Sequence, residues 1–266
     1  MDHYLKVCET AARLGGQVIQ QWLGRAEVRK KGPADLVTQA DLASQEAVRH
    51  VVLEAFPDHD FLGEENTPNG PTARHSEYRW IVDPLDGTTN FAHGAPHYCV
   101  SLALERQGQL LVGTVYDPVH DQCFSAAAGG GAHLNGRPIH TSAVVELSES
   151  LAAVGFPPNP SRDAPDVRMF LEMLPRCQAI RRSGSAALNL CYLAAGWYDI
   201  FWSYATRIWD IAAGVLIVQE AGGVVTSPSG GKFILEQAHF LAAANQRLHE
   251  QLGQAASAIV GDPDSP

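Results

Sequence analysis

The chain is short of positive charge: 19 Lys and Arg stand against 29 Asp and Glu, a formal net charge of −10 at pH 7. That balance argues against general nucleic-acid binding and against anionic membrane surfaces. No apolar run approaches the ~20 residues needed to cross a bilayer, so no membrane-spanning helix is expected. Asp2, Lys6 and Glu9 interrupt the first turns, which speaks against a signal peptide. The five cysteines, Cys8, Cys99, Cys123, Cys177 and Cys191, are odd in number and never fall in Cys-x-x-Cys spacing. They sit inside apolar runs, as buried free thiols do, and a reducing cytoplasm is the expected compartment. None of the eleven histidines falls in a His-Glu-x-x-His pattern. His93 and His97 read as loop residues, and zinc is not expected. Gly129-Gly130-Gly131 lacks the spacing of either nucleotide fingerprint and reads as a tight turn. No internal repeat is visible.

What is present is globular. The 266 residues are 45% apolar and 18% charged, enough to bury a sizeable core as one large unit or two fused halves. Leu5, Cys8, Ala12, Gly15, Ile19 and Trp22 lie on one helical stripe within residues 3–23, stopped near Gly24. Arg25 to Asp35 is polar and rich in Lys, Gly and Pro, and reads as a mobile loop. Thr38-Gln39-Ala40-Asp41 has the form of a capping box opening a helix through Ala55. Phe61-Leu62-Gly63-Glu64-Glu65 is a short apolar strand running into two acids, and Asn66 to Ser76 reads as loop. Paired strands are expected over residues 100–105, 110–116 and 123–128, with turns at Gln107-Gly108-Gln109 and Asn135-Gly136.

Residues 141–150 form a polar seam. Beyond it, strands over residues 150–156, 179–181, 200–202, 224–226 and 240–244 alternate with helical patterns, as in an α/β half. One helix opens at Ser183-Gly184-Ser185-Ala186. Another runs from Ile211 to Glu220 with Asp210 as its cap. A last helix covers roughly Leu248 to Ile259, and the tail over 259–266 reads as frayed.

The stretch Trp80-Ile81-Val82-Asp83-Pro84-Leu85-Asp86-Gly87-Thr88-Thr89-Asn90-Phe91 organises the rest. Trp80 to Val82 reads as a buried strand that Asp83-Pro84 breaks, leaving Asp83 and Asp86 at its end. Two carboxylates held close repel each other and raise a pKa unless a cation sits between them. Gly87-Thr88-Thr89 then opens a helix whose free N–H groups suit a phosphate. Paired acids beside an anion cradle point to Mg²⁺-dependent phosphate chemistry. Glu64, Asp83 and Asp86 end apolar strands and Asp210 opens an apolar helix. Any one of them alone is more often a cap or turn residue.

Asp83-Pro84-Leu85-Asp86-Gly87-Thr88-Thr89-Asn90-Phe91 resembles the first signature of the inositol monophosphatase family, and Trp209-Asp210-Ile211-Ala212-Ala213-Gly214 is similar to the second. The likeness covers about residues 1–258. It implies a layered αβαβα sugar-phosphatase fold of α/β (α+β) class, in one catalytic unit. Its α+β half would cover about residues 1–142 and its α/β half about 143–258. It further implies a lithium-sensitive phosphomonoesterase, usually dimeric, with two or three Mg²⁺ ions. Carried onto this sequence, Glu64, Asp83 and the Leu85 carbonyl would hold one ion, and Asp83, Asp86 and Asp210 a second. Asp41 and Thr88, with Glu64, would carry the catalytic step by orienting and deprotonating a water. The Gly87 and Thr88 N–H groups would bind phosphate.

Gly184-Ser185-Ala186 resembles the segment lying by the sugar-like ring. Seven residues before Asp210, where the family commonly carries a Glu that receives ring hydroxyls, this chain has Ser203, with Arg207 nearby. Phosphate cleavage survives that difference, whereas preference for inositol comes into question. Inositol 1-phosphate leads as substrate. Histidinol phosphate, fructose 1,6-bisphosphate and 3′-phosphoadenosine 5′-phosphate are the alternatives, and Arg181, Arg182, Arg207 and Trp202 leave room for the nucleotide. The non-enzymatic alternative is a metal-binding regulatory protein without turnover.

Overall fold

In the computed structural model, which describes residues 1–32, 35–65, 74–157 and 159–260, the first stripe forms α1 (Asp2–Trp22). It buries Cys8, Ala11, Ala12, Gly15, Gly16 and Ile19. The stretch expected as a loop instead carries two short antiparallel strands, β1 (Val28–Gly32) and β2 (Asp35–Thr38). Such a ribbon is held by backbone pairing, which leaves no trace in hydrophobic periodicity. Pro33 and Ala34 lie outside the described residues, and with them any closure of Lys30–Asp35 over a site. α2 (Gln39–Ala55) starts at the capping box: Asp41 Oδ2 accepts the Thr38 N–H at 2.8 Å, and Thr38 Oγ1 accepts the Ala40 N–H at 3.1 Å.

The next elements are β3 (Asp60–Gly63), β4 (Tyr78–Asp86) and the single turn α3 (Thr88–Ala92). After them come β5 (Cys99–Arg106), β6 (Gln109–Asp117), β7 (Gln122–Ala127), β8 (Ala132–Leu134) and β9 (Arg137–Ile139). The strands β3 to β9 form a seven-stranded sheet in chain order, parallel between β3 and β4 and antiparallel elsewhere. The expected loop from Asn66 lies outside the described residues as far as 73.

The break expected at Asp83-Pro84 is not there: β4 runs through it to Asp86. Asp83 pairs with Ser101 and Asp86 with Cys99, one residue more on β4 than on β5, which makes a bulge. The bulge accommodates Pro84, whose missing N–H would spoil a regular ladder. It also reverses the alternation, so that two acids three residues apart share a face instead of opposing each other.

The second half contains β10 (Leu151–Val154), α4 (Pro165–Met173), β11 (Ala179–Arg181), α5 (Ala186–Ala194) and β12 (Ile200–Ser203). It continues with α6 (Ile208–Glu220), β13 (Val224–Thr226), β14 (Phe240–Ala243) and α7 (Gln246–Val260). The sheet order is β11-β10-β12-β14-β13, with β10 parallel to both neighbours and β14 antiparallel to both of its own. Two expectations change here. Ile259 is buried in α7, which runs to Val260, so residues 259 and 260 are helix and not tail; residues 261–266 lie outside the described residues. Asp210 is not the cap residue of α6 but lies in its first turn, where Oδ2 accepts the Arg207 N–H at 2.8 Å.

The layers follow from which faces are apolar. α1 and α2 cover one face of the seven-stranded sheet around Trp80, Val82, Val100 and Leu102. α5 and α6 fill the space between the two sheets, which is why their helices are apolar almost all round. α4 and α7 cover the far face of the second sheet over Met169, Trp202 and Leu248. The result is a five-layer αβαβα arrangement. Phe124 and Val115 from one half share a core with Phe201 and Phe240 from the other.

Candidate active site

The four acids reach the site from three elements. β3 delivers Glu64, whose N–H is bonded to Val82 O at 3.0 Å. The β4 bulge delivers Asp83 and Asp86, and the first turn of α6 delivers Asp210. Burial is the largest influence on Asp83, which is 2% exposed, and it raises the pKa well above the ordinary value. Repulsion from Glu64, Asp86 and Asp210 adds to it, so all four groups feel one another. Asp210 is likewise raised, first by burial and then by Asp86, with the Arg207 N–H and charge opposing.

Asp86 rises only to about 6, because hydrogen bonds offset its burial. Its Oδ2 accepts from Ser185 Oγ and from the Ala187 N–H, both at 2.7 Å. Ser185 Oγ also accepts the Leu188 N–H and so caps α5. The Ser185 side chain, 1% exposed, is thus tied to Asp86 and to the start of α5 at the edge of the cavity described below.

Asp41, fully buried, joins cap and site. While Oδ2 takes the Thr38 N–H and hydroxyl, Oδ1 lies 3.2 Å from Thr88 Oγ1. Thr88 Oγ1 is also 2.9 Å from Leu85 O, so its single proton serves one acceptor at a time. Gly87 begins α3 at φ +98°, and a Cβ there would stand 2.9 Å from His97 O. Only glycine turns the chain here without strain. The first-turn N–H groups of α3 have no acceptor within the helix. A five-residue helix adds little dipole, so the cradle reading rests on those groups alone.

A cavity of about 180 Å³ opens beside Asp86 and Asp210 and is lined by Gly184, Ser185, Ala186 and Ser203. Arg182 lines it and Arg207 does not; the Arg207 side chain is exposed, beside Asp210. Trp202 is fully buried under α4 and α7 and cannot stack on a base, which removes one support for a nucleotide substrate. A wider cavity of about 380 Å³ lies between Thr226 and His249 and contains none of these acids.

Sequence reading missed the ties that hold the site together. Asn90 Nδ2 donates to His97 O and to Ser183 O, fastening α3 to the segment that leads into α5. Ser101 Oγ donates to Trp209 O, fastening β5 to the start of α6. Asn90 lay within the motif as a signal; Ser101 had none.

Among the described residues, no three His, Cys, Asp or Glu side chains already stand as a metal-ligand set. The donor chemistry nevertheless fits a hard divalent cation. Glu64, Asp83, Asp86 and Asp210 offer only oxygen, and their mutual repulsion is what such a cation relieves. No helix among the described residues is long and apolar enough to cross a membrane.

The model of the inositol monophosphatase family matches residues 1–260. The inositol-1-monophosphatase of Rhizobium meliloti is 41% identical over 231 residues, 85% of this chain and 84% of that protein. The Nus factor SuhB of Pseudomonas aeruginosa is 39% identical over 248 residues, 91% of this chain and 92% of that protein. A solved inositol monophosphatase from Anabaena (Nostoc) superposes with a TM-score of 0.85 at 37% identity, covering 97% of this chain and 96% of that one. The signatures at Asp83 and Asp210, the five layers and these likenesses agree: the chain belongs to the inositol monophosphatase family.

Proposed function

We propose that this phosphoric monoester hydrolase acts on inositol 1-phosphate, with Mg²⁺ as cofactor and water as nucleophile. The observation that carries the reading is the mutual repulsion of Glu64, Asp83, Asp86 and Asp210, of which Asp86 and Asp210 line the Ser203 cavity. Glu64, Asp83, Asp86, Asp210 and the Leu85 carbonyl would hold two or three Mg²⁺ ions. When bound, Mg²⁺ supplies charge neutralisation, a lowered water pKa and stabilisation of the leaving alkoxide. Asp41 and Thr88 orient the water, and Asp41 takes its proton; Glu64 assists. The Gly87 and Thr88 N–H groups receive phosphate oxygen, and in-line attack needs no covalent intermediate. The cavity between Gly184 and Ser203 receives the organic part. The enzyme works as a homodimer in the cytoplasm and is inhibited by Li⁺.

Phosphate release from inositol 1-phosphate, histidinol phosphate, fructose 1,6-bisphosphate and 3′-phosphoadenosine 5′-phosphate, with Mg²⁺, with EDTA and with Li⁺, tests this reading. Release is expected with Mg²⁺, lost with EDTA and depressed by Li⁺. No Mg²⁺-dependent release from any of them would sink the proposal.

Ser203 is expected to set the substrate preference. It is 1% exposed, lies against Gly155 and lines the cavity, so a longer side chain there can extend into it. Ser203→Glu places a charged acceptor where ring hydroxyls would lie. It should raise kcat/KM for inositol 1-phosphate about tenfold relative to the other three esters. An unchanged ratio would show that another residue selects.

A further inference from the structure

One side chain outside the acidic cluster holds the segment that carries Glu64. Gln45 lies four residues after Asp41 on α2, on the same helical face. Its Nε2–H donates to Glu65 O at 2.9 Å, and its Oε1 accepts the Glu65 N–H at 2.9 Å. The amide thus mimics a strand partner, pinning both backbone groups of the residue after Glu64. On the other side, the Glu64 N–H is pinned to Val82 O, next to Asp83. The Glu64 backbone is therefore gripped by β4 and by α2. The grip also accounts for Gly63, because a Cβ there would lie 2.1 Å from Gln45 Oε1.

We propose that Gln45 is a positioning residue for metal binding. It makes α2 a bar that holds Glu64 in fixed relation to Asp41, the acid beside Thr88. The proposal rests on the phosphatase reading above and adds to it a residue that touches neither substrate nor metal. Partners of this kind orient a ligand that would otherwise sample positions useless for coordination. Their loss costs about 10–100-fold in metal affinity.

The test is direct Mn²⁺ binding to the full chain, followed by electron paramagnetic resonance without substrate. Mg²⁺ titrations of activity and thermal denaturation in EDTA accompany it. Gln45→Ala is expected to weaken Mn²⁺ binding at least about tenfold and to raise the Mg²⁺ concentration for half-maximal activity equally. At saturating Mg²⁺, kcat should return to within about threefold of wild type and KM should be unchanged, because no reacting group is lost. Gln45→Glu keeps an acceptor for the Glu65 N–H but sets a carboxylate against the Glu65 carbonyl. It should shift Mn²⁺ affinity in the same direction, and it carries the test if Gln45→Ala does not fold.

Gly63→Ala should weaken Mn²⁺ binding in the wild-type background by displacing Gln45. It should have no further effect in Gln45→Ala, where the clash is gone. Wild-type Mn²⁺ affinity in both Gln45 variants overturns the proposal, as does full additivity of Gln45→Ala with Gly63→Ala. A wild-type chain that binds no Mn²⁺ and releases no phosphate overturns the phosphatase reading itself.

Discussion

Asp83→Asn is expected to reduce Mg²⁺-dependent phosphate release by about 10³-fold or more, the scale of losing several kcal/mol of metal-borne charge stabilisation. The fold should survive. Asp83 Oδ1 accepts the Leu85 N–H at 2.9 Å, and an asparagine oxygen accepts it as well, so the bulge keeps its internal bond. The charge is another matter. It is buried in the metal-free protein and repelled by Glu64, Asp86 and Asp210. Replacing it by a neutral amide of the same shape should stabilise the metal-free chain by on the order of 1 kcal/mol. Mg²⁺ should then protect wild type against heat and protect the variant far less, because a ligand stabilises only the state that binds it. Phosphate release and thermal midpoints with and without Mg²⁺ check both signs. Activity within tenfold of wild type would remove Asp83 from the centre of the site. A metal-free variant less stable than wild type would show that its carboxylate is not under strain from its neighbours.

The parts of this molecule legible in the sequence are those where one residue's chemistry decides the local outcome. The capping box at Thr38 and Asp41 is local, and so are the Gln107-Gly108 turn and the apolar faces of α5 and α6. The β4 bulge was not legible. Proline signals a broken ladder, and whether the strand resumes depends on how β5 pairs across from it. The ribbon of β1 and β2 hid for a related reason, since backbone pairing leaves no side-chain pattern. Asp210 reads as a cap from the sequence because Ile208 and Trp209 are apolar wherever the helix starts, whereas α6 starts at Ile208. Trp202 looked available to a ligand because a strand's period does not say that helices cover its outer face; α4 and α7 do. The four acids could be named from their motifs, but no spacing in the chain reports that α6 threads between two sheets to bring Asp210 to Asp83. The Gln45 contact with Glu65 has no local signal, because it exists only once the end of β3 lies beside α2.

Gly113→Val is expected to be the most damaging single change away from the acids. Gly113 lies on β6 against α6, where a Cβ would meet Ala213 Cα at 2.9 Å and Ala213 O at 3.0 Å. Those are backbone atoms, so no rotamer change can make room, and the helix or the strand must move. Overpacking of this kind costs about 3 kcal/mol. Ala213 is three residues after Asp210, on the same side of α6, so a helix pushed off the sheet carries Asp210 with it. The Ser101 bond to Trp209 O, one residue before Asp210, spans the same interface and would be stretched. A shift of about 1 Å in a site-building group can cost 10²-fold in rate. The variant should therefore lose activity at temperatures where it is still folded, as well as losing thermal stability. Raising Mg²⁺ should restore little, because the displacement changes where the carboxylate stands relative to Asp83 and Asp86. Denaturant unfolding with phosphate release at low temperature separates the two effects. If stability falls while activity per folded molecule stays at wild type, the N-terminal turn of α6 is anchored independently of this contact, through Ser101 and the Arg207 N–H. The close approach of Gly113 would then serve the core alone.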